Sequence, residues 1–322
     1  MPREESVYQP IPIAKLCPRC NEPLDAALLG SHVATCRYCG HRFVVQAEAI
    51  VVAVPTGQGE TFGPAILNRL RDPGEQRART WLLVAAVPVW IALGLATLGS
   101  LGGLLLVVGL LALASHLGEL AIAAHIKANA IEVGPKQLPE LHATVLLCAA
   151  RLGITAPTVY VLQDSAWNAL AMKLAGRRMV VLLSGAVDSL LQQGDLSQLA
   201  FVVGHELGHH ACGHLELRHR FLYLGGWLPP LLLWYRRRCE LTCDRIGLHC
   251  AGNLQASLTA LANMTVGAHL AQAVNIDTAI DQWERYRQET FVRWRTLYAS
   301  HPPKLWRLAA LQAAAPILGP GV

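Results

Sequence analysis

Apolar and polar positions fall into three successive patterns along the chain. Up to about residue 64 the apolar positions come in short runs, Val44-Val45 and then Ile50 to Val54, broken by Pro55-Thr56-Gly57-Gln58-Gly59. Runs of that length between turn residues predict short strands. From Trp81 to Ser115 no charged residue occurs. That is longer than the roughly 20 residues of one membrane span and suits two short ones. Gly99-Ser100-Leu101-Gly102-Gly103 marks a turn in the middle. The pattern predicts a helical hairpin with arms at 81–98 and 103–124; a single long tilted helix is the alternative. Pro88 and Gly94 fall inside the first arm, where a membrane tolerates them.

From Pro135 the patterning becomes that of a globular domain. It predicts a helix over 138–152, strands over 158–162 and 178–183, a short helix over 184–191, and an apolar-periodic helix over 196–215 that Asp195 or Ser197 could cap. A last helix is expected over 303–315, and 316–322 reads as a disordered tail. The apolar run 221–235 carries Pro229-Pro230 in mid-course and arginines at both ends (Arg218, Arg220, Arg236, Arg237, Arg238). It is too short for two spans, so it is expected to dip into a membrane or rest on it; a buried loop is the alternative. Trp283, Tyr286, Phe291 and Trp294 recur at helical spacing and read as packing.

Composition agrees with a membrane. Of 322 residues, 15% are charged and 53% hydrophobic, against roughly 25% charged in soluble domains, and the mean hydropathy is +0.34. The net charge of +5 is carried by basic clusters beside apolar runs (Arg69, Arg71, Arg77, Arg79, then Lys127), not by one long stripe. Nucleic acid is therefore not an expected partner, and both ends of the hairpin are expected on the cytoplasmic side. Met1-Pro2-Arg3-Glu4-Glu5-Ser6 lacks the apolar region of a signal peptide.

Nine cysteines occur. Cys17, Cys20, Cys36 and Cys39 form C-x2-C-x15-C-x2-C, a structural-zinc spacing that resembles a zinc ribbon over 1–48. Four thiolates close the metal's tetrahedron, so this zinc is expected to hold the fold and do no chemistry. The other five cysteines show no disulfide framework, which favours a reducing compartment. A protein partner for the ribbon is expected; nucleic-acid binding through it is a minor alternative.

The 196–215 helix contains His205-Glu206-Leu207-Gly208-His209, an HExxH motif. Residues four apart stack on one helical face, so His205 and His209 can point two imidazoles at one zinc. Glu206 lies one residue round, close enough to take a proton from a water held there. Gly204 and Gly208 weaken a helix unless something must approach closely. A third ligand is needed. The HExxHxxGxxH pattern fails, because Cys212 and Leu215 stand where Gly and His would be, and His214 leaves the helix face. Glu240 and Asp244, four apart, fit better: Glu240 to bind zinc, Asp244 to orient a ligand histidine. Their alternative is a solvated pair on a surface helix. Glu216 is a rival ligand.

HExxH, the Glu240–Asp244 ExxxD, the Asn168-Ala169-Leu170 that follows a strand, and Ser300-His301-Pro302-Pro303 with Arg307 together resemble the membrane zinc metallopeptidase family that includes HtpX and the CAAX prenyl proteases. The resemblance covers roughly 135–312. It implies His205, His209 and Glu240 as ligands of a catalytic zinc and Glu206 as general base. It implies Asn168, Ala169 and Leu170 on an edge strand that holds substrate backbone. It further implies His301 and Arg307 as groups that stabilise the reacting carbonyl and hold the site together. Leu170, Leu241 and Cys243 depart from the family pattern, the last placing a thiol near the metal.

The expected fold is α+β: a mostly helical, zincin-like metallopeptidase domain with a small sheet over 127–315, behind a transmembrane helical hairpin over 80–126, a basic linker over 49–79 and the ribbon. The expected function is a membrane-anchored zinc endopeptidase with one catalytic and one structural zinc, acting on protein or peptide substrates, membrane proteins among them, with membrane lipid around it. The alternative is a catalytically silent scaffold or a ribbon-mediated binder.

Overall fold

The computed structural model describes residues 8–12, 33–35, 42–46, 49–53, 64–100, 102–163, 169–174, 176–193, 196–216 and 222–318. The four ribbon cysteines with their expected zinc, Asn168 and Asp195 lie outside them. The order is β1 (Tyr8–Pro12), β2 (Val33–Thr35), β3 (Arg42–Gln46), β4 (Ala49–Ala53), α1 (Pro64–Leu70), α2 (Pro73–Gly99), α3 (Gly103–Asn129), β5 (Ile131–Glu132), α4 (Pro139–Leu152), β6 (Thr158–Leu162), β7 (Ala169–Leu174), β8 (Arg177–Leu183), α5 (Ser184–Gln193) and α6 (Leu196–Ala211). A 3-10 turn (Tyr223–Trp227) follows, then α7 (Pro229–Ala251), α8 (Leu254–Val266), α9 (Ala268–Ala271), α10 (Ile276–Tyr286), α11 (Thr290–Leu297) and α12 (Lys304–Leu318).

The first four strands form an antiparallel sheet in the order β1-β4-β3-β2. β3 and β4 contain the two apolar runs. β1 was hidden in the sequence by Pro10 and Pro12; as an edge strand it can carry residues that lack an N–H donor.

The apolar stretch is two helices, not one. α2 and α3 are each long and apolar enough to cross a membrane, and their most apolar windows are 11% and 0% buried. Gly102, at φ 85°, supplies the left-handed residue of the turn between them. Leu95, Leu98, Leu106 and Leu111 are each more than 60% exposed, an apolar surface that calls for an apolar surrounding. Both outer ends return to the globular part. α3 ends with Ala123 and Ile126 packed on Tyr160, Leu174 and Met179. Ala78 and Leu82 of α2 pack on Leu222, Tyr235 and Cys239.

That return corrects the expected linker. Residues 64–79 belong to the globular unit: Leu67 and Leu70 join its core, and Asp72 and Glu75 are buried. Asp72 caps α2, accepting the Gly74 N–H at 2.8 Å, with Pro73 at the first helical position. Its carboxylate also meets Arg238 at 3.2 Å and Arg245 at 3.3 Å on α7. Basic residues at this level disguised a structural element as a flank.

The second sheet runs β5-β6-β8-β7, with β6 and β8 parallel and the other pairs antiparallel. β7 is therefore an edge. α6 crosses the centre of the core, with Phe201, Val203 and Leu207 fully enclosed. It stops at Ala211, sooner than the apolar period suggests, and a turn with Gly213 at φ 72° follows. Pro229-Pro230 does not sit within a loop but opens α7, where missing N–H groups cost nothing. The final helix continues through Pro316 to Leu318, past the expected start of the tail, because a proline in a last turn removes a single ladder bond.

α6 and α7 approach each other closely. A Cβ on Gly204 would stand 2.5 Å from the Cys250 Cβ and 3.1 Å from the Gly247 Cα; one on Gly247 would stand 2.7 Å from the Phe201 carbonyl oxygen. Glycine is required at both because backbones meet there. Gly204→Ala is expected to destabilise the protein by about 1–3 kcal/mol, read as a lower melting temperature in detergent. Gly118→Ala, which faces nothing within 4 Å, should leave it unchanged.

Candidate metal centre

Two helices supply the donors. His205 and His209 project from one face of α6, and Glu240 reaches them from α7. The His205 Nε2–Glu240 Oε2 distance is 3.4 Å and the His209 Nε2–Glu240 Oε1 distance 3.5 Å. One donor atom from each of the three lies within 4.8 Å of the others. Nitrogen and oxygen donors at about 2.0–2.1 Å from a tetrahedral ion lie about 3.4 Å apart. The three residues therefore fit a zinc ion with one vertex to spare, and two imidazoles with a carboxylate are a donor set zinc favours.

A second layer fixes the first. His205 Nδ1 donates to Asp244 Oδ1 at 3.0 Å. Arg307 grips the same carboxylate twice, Nε to Oδ2 at 2.9 Å and Nη2 to Oδ1 at 2.6 Å. Asp244 and Arg307 are 1% and 3% exposed, so this is neither a solvated pair nor a surface one. With its Nδ1–H committed to Asp244, His205 presents the lone pair of Nε2 to the centre.

The electrostatics follow from burial and pairing. Burial alone would lower the pKa of His205, but hydrogen bonds to Asp244 and Glu240 outweigh it and raise it to about 9. The bond from Nδ1 to Asp244 also increases its basicity as a ligand. Burial and the neighbouring imidazoles hold His209 neutral, near 3. Burial would raise Glu240, yet the bond to His205 and the nearby imidazoles and Arg307 keep its carboxyl well below the ordinary range. Glu206 moves the other way: burial pushes its carboxyl up. It sits beside the three donors and accepts the backbone N–H of Ala171 on β7.

The remaining expected residues are placed as follows. His301 stands 3.7 Å from Glu240 Oε1 and is largely exposed, so it faces the centre from its open side. Its loop is held by Arg237 of α7, whose Nη1 donates to the carbonyls of Leu297 at 2.9 Å and Ala299 at 2.6 Å. Arg307 touches Asp244, behind His205. Ala169 and Leu170 begin the edge strand β7, with Leu170 exposed. Glu216, the rival ligand, pairs instead with Lys173 at 2.5 Å and Arg178 at 3.5 Å. Burial pushes the Cys243 thiol well above its ordinary pKa, so it sits near the centre as a neutral group.

Sequence reasoning missed one set. His214 folds back beneath α6 to place its Nδ1 3.2 Å from His209 Nδ1, and its Nε2 lies 3.2 Å from Glu75 Oε1 of α2. The one available signal was a pair of acidic residues, Asp72 and Glu75, within the basic stretch before the apolar run.

The sequence model of Peptidase family M48 matches residues 135–225 and 216–315, more than half of the chain. The plastoglobule-localized metallopeptidase 48, chloroplastic, of Arabidopsis thaliana is 29% identical over 174 residues, 49% of this chain and 49% of that protein. A protease HtpX homolog of Acaryochloris marina (strain MBIC 11017) is 33% identical over 117 residues, 35% of this chain and 39% of that protein. The chain thus spans half or less of the length of these curated relatives. No solved structure matches it. The chain belongs to peptidase family M48.

Arg307→Ala removes the cation from the buried Asp244 carboxylate and is expected to cost about 3–5 kcal/mol, measured by denaturant unfolding. Asp244→Asn is expected to weaken zinc binding about 10–100-fold in competition with a chelator.

Proposed function

We propose that this M48 member is a membrane-anchored zinc endopeptidase that hydrolyses peptide bonds in proteins at the bilayer surface. The observation that carries the reading is the convergence of His205, His209 and Glu240 at ligand spacing, with Glu206 buried beside them.

When bound, zinc supplies a Lewis acid that polarises the scissile carbonyl and acidifies a water. His205, His209 and Glu240 hold it; Asp244 and Arg307 fix the orientation of His205. Glu206 takes a proton from the attacking water as oxygen bonds to the carbonyl carbon. It then delivers that proton to the leaving amine as the C–N bond breaks. The backbone N–H of Ala171 holds the Glu206 carboxylate in place. β7 offers its edge to an extended peptide, with Ala169 and Leu170 at the start of that edge; Asn168, outside the described residues, is the further backbone-holding residue of this reading. Ala186, Phe201, Val202 and Met264 line a small apolar recess beside Glu206. His301, on the open side, is the donor for the developing oxyanion.

The setting favours substrates at a membrane. The 3-10 turn lies flush on α2, where a Cβ on Gly225 would stand 2.3 Å from the Leu82 carbonyl oxygen. Trp227 Nε1 donates to the Ala85 carbonyl at 2.8 Å. Trp227 and Leu228 remain exposed alongside the apolar run, where an interfacial Trp would sit. In this reading the hairpin 80–126 crosses the cytoplasmic membrane, 221–235 meets the lipid, and the ribbon and catalytic domain share the cytoplasmic side. A second zinc at Cys17, Cys20, Cys36 and Cys39 and a protein partner for the ribbon complete it, on the C-x2-C spacing.

Glu206→Gln should lower the rate on a protein substrate by about 10²–10⁴-fold with zinc content unchanged. Equal rates in variant and wild type would remove Glu206 from the mechanism. Alkaline carbonate extraction should leave the full chain in the membrane pellet, and its release would rule out a spanning hairpin.

A further inference from the structure

We propose that Glu75, at the root of α2, and His214, in the turn after α6, position the metal ligand His209 through a buried hydrogen-bond chain, so that the apolar hairpin forms part of the metal centre's outer support. This rests on the reading of His205, His209 and Glu240 as the ligand set.

The proton placement follows from the contacts. His209 turns Nε2 toward Glu240, 3.5 Å away, which leaves Nδ1–H as a donor. The group it meets is His214 Nδ1, at 3.2 Å. His214 must accept there, so its own proton lies on Nε2, which donates to Glu75 Oε1 at 3.2 Å. Glu75 ends the chain as an acceptor. Thr242 Oγ1 donates to its Oε2 at 2.5 Å, and Arg71 pairs with its Oε1. The Thr242 hydroxyl in turn accepts the Asp72 backbone N–H at 2.9 Å. No two donors oppose each other along the chain.

Burial shows that the chain is built into the fold. Glu75 is 2% exposed and His214 7%, and a carboxylate is almost never enclosed unless it is paired. The arrangement repeats the one behind the other ligand. His205 is held by Asp244, which Arg307 neutralises. His209 is held by His214 and Glu75, which Arg71 neutralises. The first support comes from the C-terminal helix, the second from the foot of the hairpin. Outer partners of this kind orient an imidazole, fix its tautomer and raise its basicity.

The same atoms allow a rival reading. His209, His214 and Cys243, or Glu75, His214 and Cys239, also bring three donor atoms within 4.8 Å of one another, so a second ion could sit there. The hydrogen-bond chain accounts for His214 and Glu75 without one, and Cys243 enters it only as a long thiol contact to His214 Nδ1 at 3.7 Å.

The test uses the full chain in detergent, stripped of metal and titrated with cobalt(II). The visible bands report the ligand field, and sulfur charge-transfer sets thiolate-bound cobalt apart. Glu75→Gln and His214→Leu should weaken binding at the His205/His209/Glu240 centre about 10–100-fold and alter its visible bands. His214→Asn places an amide oxygen where it can accept from His209, and should recover part of the loss. Cys243→Ala should change neither affinity nor stoichiometry. The proposal fails if His214→Leu binds as wild type, if Asn is no better than Leu, or if Cys243→Ala removes an equivalent of metal. Should His214→Leu not fold, Glu75→Gln alone decides, since it changes one atom, and wild-type affinity in it overturns the proposal. A wild type that takes cobalt at this centre but cleaves no peptide bond would overturn the proposed function and leave this inference standing.

Discussion

The structure depends on how closely two helices can approach. α6 carries the imidazoles and α7 the carboxylates, and neither set forms a centre alone. Gly204 and Gly247 remove the side chains that would hold the helices apart, so backbone meets side chain and backbone at the crossing. Side chains at these positions would move α7, and Glu240 with it, away from the imidazoles. Interiors are packed too densely to absorb such a change locally. The glycines therefore set the geometry of a site to which they contribute no chemistry.

The second constraint is charge. Glu240, Asp244, Glu206 and Arg307 lie within one small, water-poor volume, and each would be costly there without a partner. The fold meets this by pairing. Asp244 serves His205 and Arg307 together, so a single carboxylate orients a ligand and neutralises a guanidinium. Glu206 is the least compensated of the carboxylates, and burial raises its proton affinity. Perturbed carboxyls of opposite direction side by side are characteristic of groups with different tasks.

The elements around the centre also tie it to the apolar hairpin. Residues 64–79 pack into the globular core, Asp72 is clamped by two arginines of α7, and the turn after Leu222 lies on α2. The foot of the hairpin is a component of the catalytic unit and not a tether to it.

Much of this was legible in the chain. HExxH on an apolar-periodic run places two imidazoles on one face because the helical repeat is local geometry. The same holds for Glu240 and Asp244, for strands β6 and β8, and for a hairpin broken at consecutive glycines. What the sequence left open was pairing between distant segments. It offered Glu216 as a rival to Glu240, and only the fold shows Glu216 turned to Lys173 and Arg178. It read 64–79 as a basic linker, because the apolar contacts of Leu67 and Leu70 and the burial of Glu75 arise from helices far along the chain. It read His214 as lost to the site, because a residue that leaves a helix face can return only through the turn that follows. Periodicity fixes which side chains share a face; which faces meet, and which buried charges find each other, is decided by tertiary packing.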